Sequence, residues 1–303
     1  MIGRGAPRTE SGGQPDTAAA LDPGNRRAAS HGARRRTNPD PRALSAVALV
    51  MGLALGAPIA VLVVRALLGG SLVAAIGTAV VLDALILSLA TTGVSLLVTV
   101  AVGLPIALLL ARRGRRGLSI LEAIVDLPII LPPAVAGLAL LLVLGRRGIL
   151  GGPLDALGLS IPFTTVAVVI AQTFVSAPFF IRSARTGIAG VDRDLEDAAR
   201  ADGASEWSVL RSVTLPLAGP ALAAGLVMSW ARSLGEFGAT IMFAGNVQGR
   251  TQTLPLVVYS EFQGGSLDSS IAAAAVLVLA AFGVLLAARV LHWGRALDLR
   301  GLP

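Results

Sequence analysis

Five polar side chains interrupt one otherwise apolar stretch, residues 219–243, in the second half of the chain. They are Ser229, Arg232, Ser233, Glu236 and Thr240. In a helix, residues four apart share a face, so Arg232 and Glu236 are spaced to form an ion pair. A charged side chain at the centre of a membrane costs about 2.5–3.5 kcal/mol on insertion scales and usually marks function. The pair is therefore either a self-neutralising structural contact or part of a working site.

A second polar segment, residues 192–216, separates two apolar stretches. Asp192 is placed to cap a first short helix, and Gly203 to end it in a left-handed conformation. Ser205 is placed to cap a second helix, which we expect Pro216 to end before the next apolar stretch begins. Small residues on the first helix would let another backbone come close. The segment either packs against its own membrane domain or docks a cytoplasmic partner.

The composition excludes several kinds of chemistry. There is no cysteine, which rules out a disulfide scaffold, a thiolate metal site and a cysteine nucleophile. All 25 Lys and Arg residues are arginines, so the lysine that a phosphate-binding P-loop needs is missing. His31 and His292 lie near opposite ends of the chain and suggest neither catalysis nor metal ligation. We expect no enzyme site, no metal and no cofactor in this chain.

Hydropathy predicts an all-α integral membrane protein. Hydrophobic residues make up 54% of the chain, charged residues only 14%, and the mean hydropathy is +0.76. A transmembrane helix needs about 20 apolar residues to cross about 30 Å of hydrocarbon. Six stretches meet this requirement, so we predict six transmembrane helices: 44–68, 84–110, 121–144, 163–181, 219–243 and 270–291.

The third stretch, 121–144, is the least regular because it contains Pro128, Pro132 and Pro133. Each proline lacks an amide donor, and neighbours or water must satisfy the carbonyls that it leaves free. The sequence leaves two interpretations open, a packing kink or a bend that lines a pathway.

The two ends of the chain differ from the apolar core. Residues 1–42 are rich in Arg, Gly, Pro, Ser and Asp, a composition that favours a disordered, solvated cytoplasmic tail. We predict a first transmembrane helix and outer connection over 43–80, a transmembrane core over 81–292 that includes the loop 192–216, and a cytoplasmic C-terminal tail over 293–303.

Arginine distribution predicts the orientation. With six spans, twenty arginines fall on one side of the membrane, in the N-terminal tail, the two connections 112–116 and 182–218, and the C-terminal end. Four fall on the other side: Arg65, Arg146, Arg147 and Arg250. The positive-inside rule therefore places both termini and the loop 192–216 in the cytoplasm. The net charge of +7 fits cytoplasmic loops better than nucleic-acid binding.

The loop resembles a known motif. Asp197-Ala198-Ala199, three residues, Gly203, nine residues and then Val213-Thr214-Leu215-Pro216 is similar to the "EAA" loop of ABC-importer permeases, with Asp197 in place of the usual glutamate. The resemblance implies a type I ABC importer permease fold, in which this loop docks on an ATPase subunit. It implies the following docking residues: Leu195, Glu196, Asp197, Ala198, Ala199, Gly203, Trp207, Leu215 and Pro216.

The stretch after the loop, 230–262, resembles the molybdate branch of the same family, and the whole resemblance covers roughly residues 80–292. Sulfate permeases share Gly235-Glu236 and Gly245-Asn246, whereas Gly238-Ala239-Thr240 and Thr253-Leu254-Pro255 are more typical of molybdate permeases. In such a permease Arg232 would offer positive potential to the anion, with Ser229, Ser233 and Thr240 as hydroxyl donors.

The resemblance also implies partners. These are cytoplasmic ABC ATPase subunits that hold ATP and Mg, an extracytoplasmic molybdate-binding protein at the outer loops 145–162 and 244–269, and a second permease copy in a homodimer. The location implied is the bilayer of a bacterial inner membrane.

Three alternatives stay open at this point. The nearest is a sulfate or tungstate permease of the same architecture. An ion-coupled secondary transporter would need intramembrane carboxylates or broken helices in two related halves, and no convincing internal repeat is present. A membrane enzyme would need a cluster of acids, histidines or a nucleophile elbow that we do not find.

Overall fold

The computed structural model describes residues 41–112 and 118–298, and within these ranges all regular structure is helical. The helices, in chain order, are Pro41–Leu68 (α1), Ser71–Ile76 (α2), Ala79–Arg112 (α3), Leu118–Ile130 (α4), Pro133–Leu144 (α5), Gly151–Ala156 (α6), Thr165–Ala189 (α7), Arg193–Ala201 (α8), Glu206–Val209 (α9), Leu215–Leu234 (α10), Gly238–Phe243 (α11), Leu254–Gln263 (α12) and Leu267–Asp298 (α13). A π-helical segment, Leu210–Thr214, joins α9 to α10.

Five helical segments are long and apolar enough to cross a membrane: Leu44–Leu68, Ala79–Arg112, Thr165–Ala189, Glu206–Leu234 and Leu267–Ala287. The pair α4 and α5 makes a sixth if it counts as one span. The predicted all-α membrane architecture is therefore confirmed. The predicted tail 1–42 lies almost wholly outside the described residues, as do 299–303, and the predicted domain boundaries stay predictions.

The third predicted span is bent by 119° between α4 and α5. The break falls at Leu131 and Pro132, before Pro133 opens α5. Two successive prolines remove two amide donors, and each disfavours helical geometry in the residue before it. The predicted irregularity is confirmed, and the two halves point in different directions.

The fifth predicted span, 219–243, differs at both ends from the helix that forms. The helical segment begins at Glu206 and ends at Leu234. Pro216 does not end the second loop helix, contrary to our prediction. It lies in the first turn of α10, directly after the π-helical segment, in which the amide of Leu215 donates to the carbonyl of Leu210. A proline is tolerated there because the wider turn before it already interrupts the regular i to i−4 bonding.

The chain divides into two compact units, residues 1–54 and 55–303. The described part of the first unit is the N-terminal half of α1, whose large apolar side chains, such as Val47 and Val50, are exposed. An apolar exposed surface of this length suits a lipid environment.

In the second unit, α7 is the central helix and packs along both α3 and α10. Ala171, Val175, Ala184 and Ile188 lie buried along α7. The contact with α10 is close because Gly225 faces α7, and a Cβ there would lie 2.8 Å from the Cβ of Ser183. Small residues allow such close approach between membrane helices.

Candidate docking site and polar intramembrane cluster

The loop 192–216 has the two-helix form that the sequence predicts. Asp192 Oδ1 accepts from the amide of Asp194 at 3.0 Å at the start of α8. Ser205 Oγ accepts from the amide of Ser208 at 3.2 Å at the start of α9. Gly203 has φ +88°, the left-handed conformation that lets the chain turn between the two helices.

Glu196 anchors this loop to two membrane spans. Its side chain is buried, with the residue only 8% exposed, and Oε1 accepts from Arg112 Nη2 at 2.7 Å and from Thr214 Oγ1 at 2.5 Å. Arg112 is the last residue of α3, and Thr214 directly precedes α10. Glu196, expected on the docking surface, therefore faces the interior of its own subunit. Sequence reasoning missed both partners, which lie 84 and 18 residues away.

Arg200 joins the two loop helices. Its guanidinium bonds to Asp197 Oδ1 at 2.6 Å and, on α9, to Glu206 Oε1 at 2.6 Å. The hydrogen bond with the Glu206 carboxylate raises the pKa of Arg200 above its ordinary value. Arg200 therefore keeps its charge at any physiological pH, and α8 and α9 are held together as one unit.

The outward face of the loop combines charge with two large apolar side chains. Leu195 is 51% exposed and Trp207 is 67% exposed. Five further predicted docking residues are at least partly exposed around them: Asp197, Ala198, Ala199, Gly203 and Pro216. Leu215 is half-buried. Exposed aromatic and aliphatic anchors with a polar rim are typical of protein interfaces.

The charged pair in the membrane domain is real, but its setting differs from the prediction. Arg232 Nη1 lies 2.5 Å from Glu236 Oε2. Glu236 is not inside a continuous helix, because α10 ends at Leu234 and α11 begins at Gly238. Glu236 is 1% exposed, and its Oε1 accepts from the amide of Ala239 at 2.7 Å, which satisfies one amide in the first turn of α11. The pair neutralises itself and stabilises a helix break.

The three predicted hydroxyl donors lie buried between helices. Ser229 Oγ donates to the carbonyl of Ser176 on α7 at 3.0 Å, and Ser233 Oγ lies 3.4 Å from Ser95 Oγ on α3. Thr240 is fully buried in α11. Ser229 and Ser233 therefore hold α10 against its two neighbours within one subunit. Their role in a substrate path stays a prediction.

A row of small polar residues on α3 completes this cluster and was missed. The buried positions are Ser88, Thr91, Thr92, Ser95 and Thr99, and Gln172 Nε2 on α7 donates to Thr92 Oγ1 at 3.4 Å. Thr173 Oγ1 donates to Ser95 Oγ at 3.1 Å, and Ser88 Oγ accepts from the amide of Leu254 at 2.8 Å. The signal was present, because hydroxyl residues three or four apart in an apolar helix mark its packing face.

Two ion pairs join α4 to α7. Arg182 binds Asp126 through two nitrogens, at 2.6 and 2.7 Å, and Arg185 pairs with Glu122. These carboxylates are therefore neutralised by α7. No residue of α4 is fully buried, and the helix is held to the core by these ion pairs together with the partly buried side chains of Leu118, Leu121 and Val125.

Residues 103–296 match the family model described as "Binding-protein-dependent transport system inner membrane component". The chain belongs to this family, so it is a transport subunit and a multi-pass protein of the bacterial inner membrane.

Among curated relatives, the molybdenum transport system permease protein ModB of Mycobacterium tuberculosis is 44% identical over 203 residues, 67% of this chain and 76% of the relative. The protein of the same name from Escherichia coli K12 is 39% identical over 199 residues, 65% of this chain and 87% of the relative.

Solved structures are similar in fold. A bacterial ABC transporter involved in the import of the acidic polysaccharide alginate superposes with a TM-score of 0.67 at 19% identity, covering 84% of this chain and 94% of that one. The inward-facing MetNI methionine ABC transporter gives 0.56 at 21% identity, covering 70% and 94%. The type I ABC importer permease fold is thereby confirmed.

Proposed function

We propose that this chain is the permease subunit of an ATP-driven importer that carries molybdate into the cytoplasm. The observation that carries the proposal is the 44% identity to molybdenum transport permeases over two thirds of the chain. The exposed loop face that contains Leu195 and Trp207 supports the proposal, because a permease with no nucleotide site of its own needs a surface on which a separate ATPase can dock.

Transport of molybdate into the cytoplasm requires a source of free energy. Molybdate is a dianion, and a bare ion in hydrocarbon costs tens of kcal/mol in lost solvation. Entry of two negative charges against a negative-inside potential adds about 4–5 kcal/mol per 100 mV. We propose that separate ATPase subunits, which hold ATP and Mg, supply this energy, and that this chain carries no cofactor of its own.

The loop is proposed to transmit the work. Movement of a docked ATPase would act on the rigid α8–α9 unit and then, through Glu196, on Arg112 of α3 and Thr214 before α10. Both contacts are at the ends of spans, α3 and α10, that pack against α7. Such a linkage would convert closure of the ATPase pair into alternation between inward-facing and outward-facing forms.

The proposed assembly has three kinds of partner. Two ATPase subunits bind below, a molybdate-binding protein delivers substrate to the outer loops 145–162 and 244–269, and a second copy of this chain completes a homodimer with the path at its interface. Family membership supports the binding-protein partner, since these are binding-protein-dependent systems.

The test is uptake of radiolabelled molybdate into proteoliposomes that contain the permease and its ATPase, with the binding protein outside. We expect accumulation only with ATP inside, competition by tungstate, and little competition from excess sulfate. Equal competition by sulfate would contradict the substrate assignment. Uptake that persists without the ATPase would contradict the ATP-driven mechanism in favour of ion-coupled transport.

A further inference from the structure

An open cavity of about 440 Å³ lies at the N-terminal end of α7, opposite the end that leads into the docking loop. The helix has 25 residues, so its two ends are about 36 Å apart, which is long enough to cross about 30 Å of hydrocarbon. The residues that line the cavity include Arg146, Arg250, Ser160, Thr164 and Phe163.

Arg146 stands on a compact backbone turn. The amide of Gly145 donates to the carbonyl of Leu141 at 2.8 Å, and the amide of Gly148 donates to the carbonyl of Gly145 at 2.7 Å. A Cβ on Gly151 would lie 1.9 Å from the carbonyl oxygen of Gly145, so the turn closes only with glycine there. The backbone that carries Arg146 is therefore fixed.

Arg250 stands on a second locked turn. Thr251 is fully buried, and its Oγ1 accepts from the amide of Val247 at 2.9 Å. The carbonyl of Arg250 accepts from Thr165 Oγ1 at 2.9 Å, which ties this turn to the first residue of α7. Two separate hydrogen-bonded turns therefore place the backbones of Arg146 and Arg250 at the same cavity.

One residue of the cavity lining, Phe163, has a strained backbone. Phe163 has φ +61°, a left-handed conformation that a bulky residue rarely adopts. Its amide donates to the carbonyl of Phe243 at 3.4 Å, and its ring occupies space that a side chain at residue 245 would need, since a Cβ on Gly245 would lie 2.9 Å from it. Strain of this kind persists only where the surroundings impose it, and it concentrates at binding sites.

The charge of the cavity is uncompensated. In the described parts of the chain neither Arg146 nor Arg250 has a carboxylate within ion-pair distance, whereas Arg65, on the same side, lies 3.9 Å from Asp268. Both arginines also lie on the arginine-poor side, where the positive-inside rule disfavours them. Two exposed cations, each on a hydrogen-bonded backbone turn, are thus left available to an anion.

We propose that this cavity binds a free tetrahedral oxyanion on the outer face before translocation. The inference rests on the proposed function, since the anion would be the transported substrate. A guanidinium group presents paired N–H donors that match the geometry of an oxyanion. It has no acceptor atom, so it presents no lone pair that would repel an anion. At about 30 Å³ per water, the cavity has room for the ion with part of its hydration shell.

The test uses the permease–ATPase complex in maltoside detergent, without binding protein or ATP. Equilibrium binding of radiolabelled molybdate is measured for the wild type, Arg146→Gln, Arg250→Gln and the double variant. Loss of one charge-assisted contact should weaken binding about tenfold, and the double variant should bind no measurable anion. Arg147→Gln is the matched control, because it removes the same charge from the neighbouring residue outside the cavity and should bind as the wild type does. Unaltered thermal unfolding of each variant shows that the fold is intact.

Three results would overturn the inference. Wild-type binding that survives in the double variant places the anion elsewhere. Molybdate binding could be lost in phosphatidylcholine nanodiscs, while lipid copurifies with the wild type but not with the double variant. That result would assign the cavity to a lipid phosphate. The double variant could also bind the anion as the wild type does but need a higher concentration of binding protein for half-maximal uptake. That result would assign the cavity to contact with the binding protein.

Failure of the inference and failure of the proposed function are distinguishable. If the wild type imports molybdate but anion binding does not depend on the two arginines, only the inference fails. If arginine-dependent binding is found for sulfate and the complex does not import molybdate, the cavity remains an oxyanion site and the substrate assignment fails.

Discussion

Glu236 shows how one buried carboxylate can serve two contacts. Oε2 pairs with Arg232, while Oε1 accepts from the amide of Ala239 in the first turn of α11. The two partners are unequally buried, because the side chain of Arg232 is 27% exposed and that of Glu236 only 1%. Removing one partner should therefore not have the same effect as removing the other.

We expect Arg232→Gln to destabilise the protein more than Glu236→Gln does. The first change leaves a buried carboxylate without its cation, at a cost of about 3 kcal/mol. The second keeps an acceptor for the Ala239 amide and leaves a partly exposed arginine, at a cost of about 1 kcal/mol. The measurement is the free energy of unfolding in detergent, and equal losses in the two variants would contradict the assigned roles.

At the level of helices, packing around α7 depends on where small residues fall. Gly225 and Gly219 both lie in α10, but only Gly225 faces a neighbour closely. A Cβ on Gly219 would meet nothing within 4 Å. Substitution at Gly225 therefore tests the packing of α10 against α7, whereas substitution at Gly219 tests helix propensity alone.

Gly225→Ala should lower the free energy of unfolding by about 1–3 kcal/mol, because the added methyl would lie 2.8 Å from the Cβ of Ser183 and 3.3 Å from the α7 backbone at Phe180. Gly219→Ala should leave stability unchanged or raise it slightly, since alanine favours helix over glycine. Thermal unfolding of the two variants in the same detergent checks this. A larger loss for Gly219→Ala would show that the α7–α10 contact is placed wrongly.

The helices and their caps were largely predictable, whereas the breaks and long-range partners were not. Asp192, Gly203 and Ser205 act locally, within a few residues, so their roles can be inferred from spacing alone. The end of α10 before Glu236 and the continuation of the helix through Pro216 depend on tertiary contacts and on a π-helical turn, which periodicity does not report.

The candidate site follows the same pattern. Leu195 and Trp207, chosen from a motif and a helical stripe, are exposed, and their docking role stays a prediction. The burial of Glu196 was not predicted, because it depends on Arg112, which the chain brings close only after two further spans. Hydrophobic periodicity gives no information about which charged residues will meet.

Across the whole molecule, the proposed docking loop follows the C-terminal end of α7 and the basic cavity lies at its N-terminal end. This arrangement is what we expect of an importer that takes in substrate on one side of the membrane and is driven by an ATPase on the other. Gly203 is the residue on which the loop's shape depends, with φ +88° between α8 and α9. Proline is restricted to φ near −65° and cannot adopt this conformation, whereas asparagine can.

ATP-driven molybdate uptake by Gly203→Pro and Gly203→Asn complexes in proteoliposomes therefore tests whether work enters through this loop. We expect Gly203→Pro to insert in the membrane but to lose its ATPase on purification and to show no uptake above the ATP-free background. Gly203→Asn should keep both the ATPase and most of the uptake. Uptake at the wild-type rate in Gly203→Pro would contradict the account, because the loop would then not be the route by which ATP hydrolysis moves the anion.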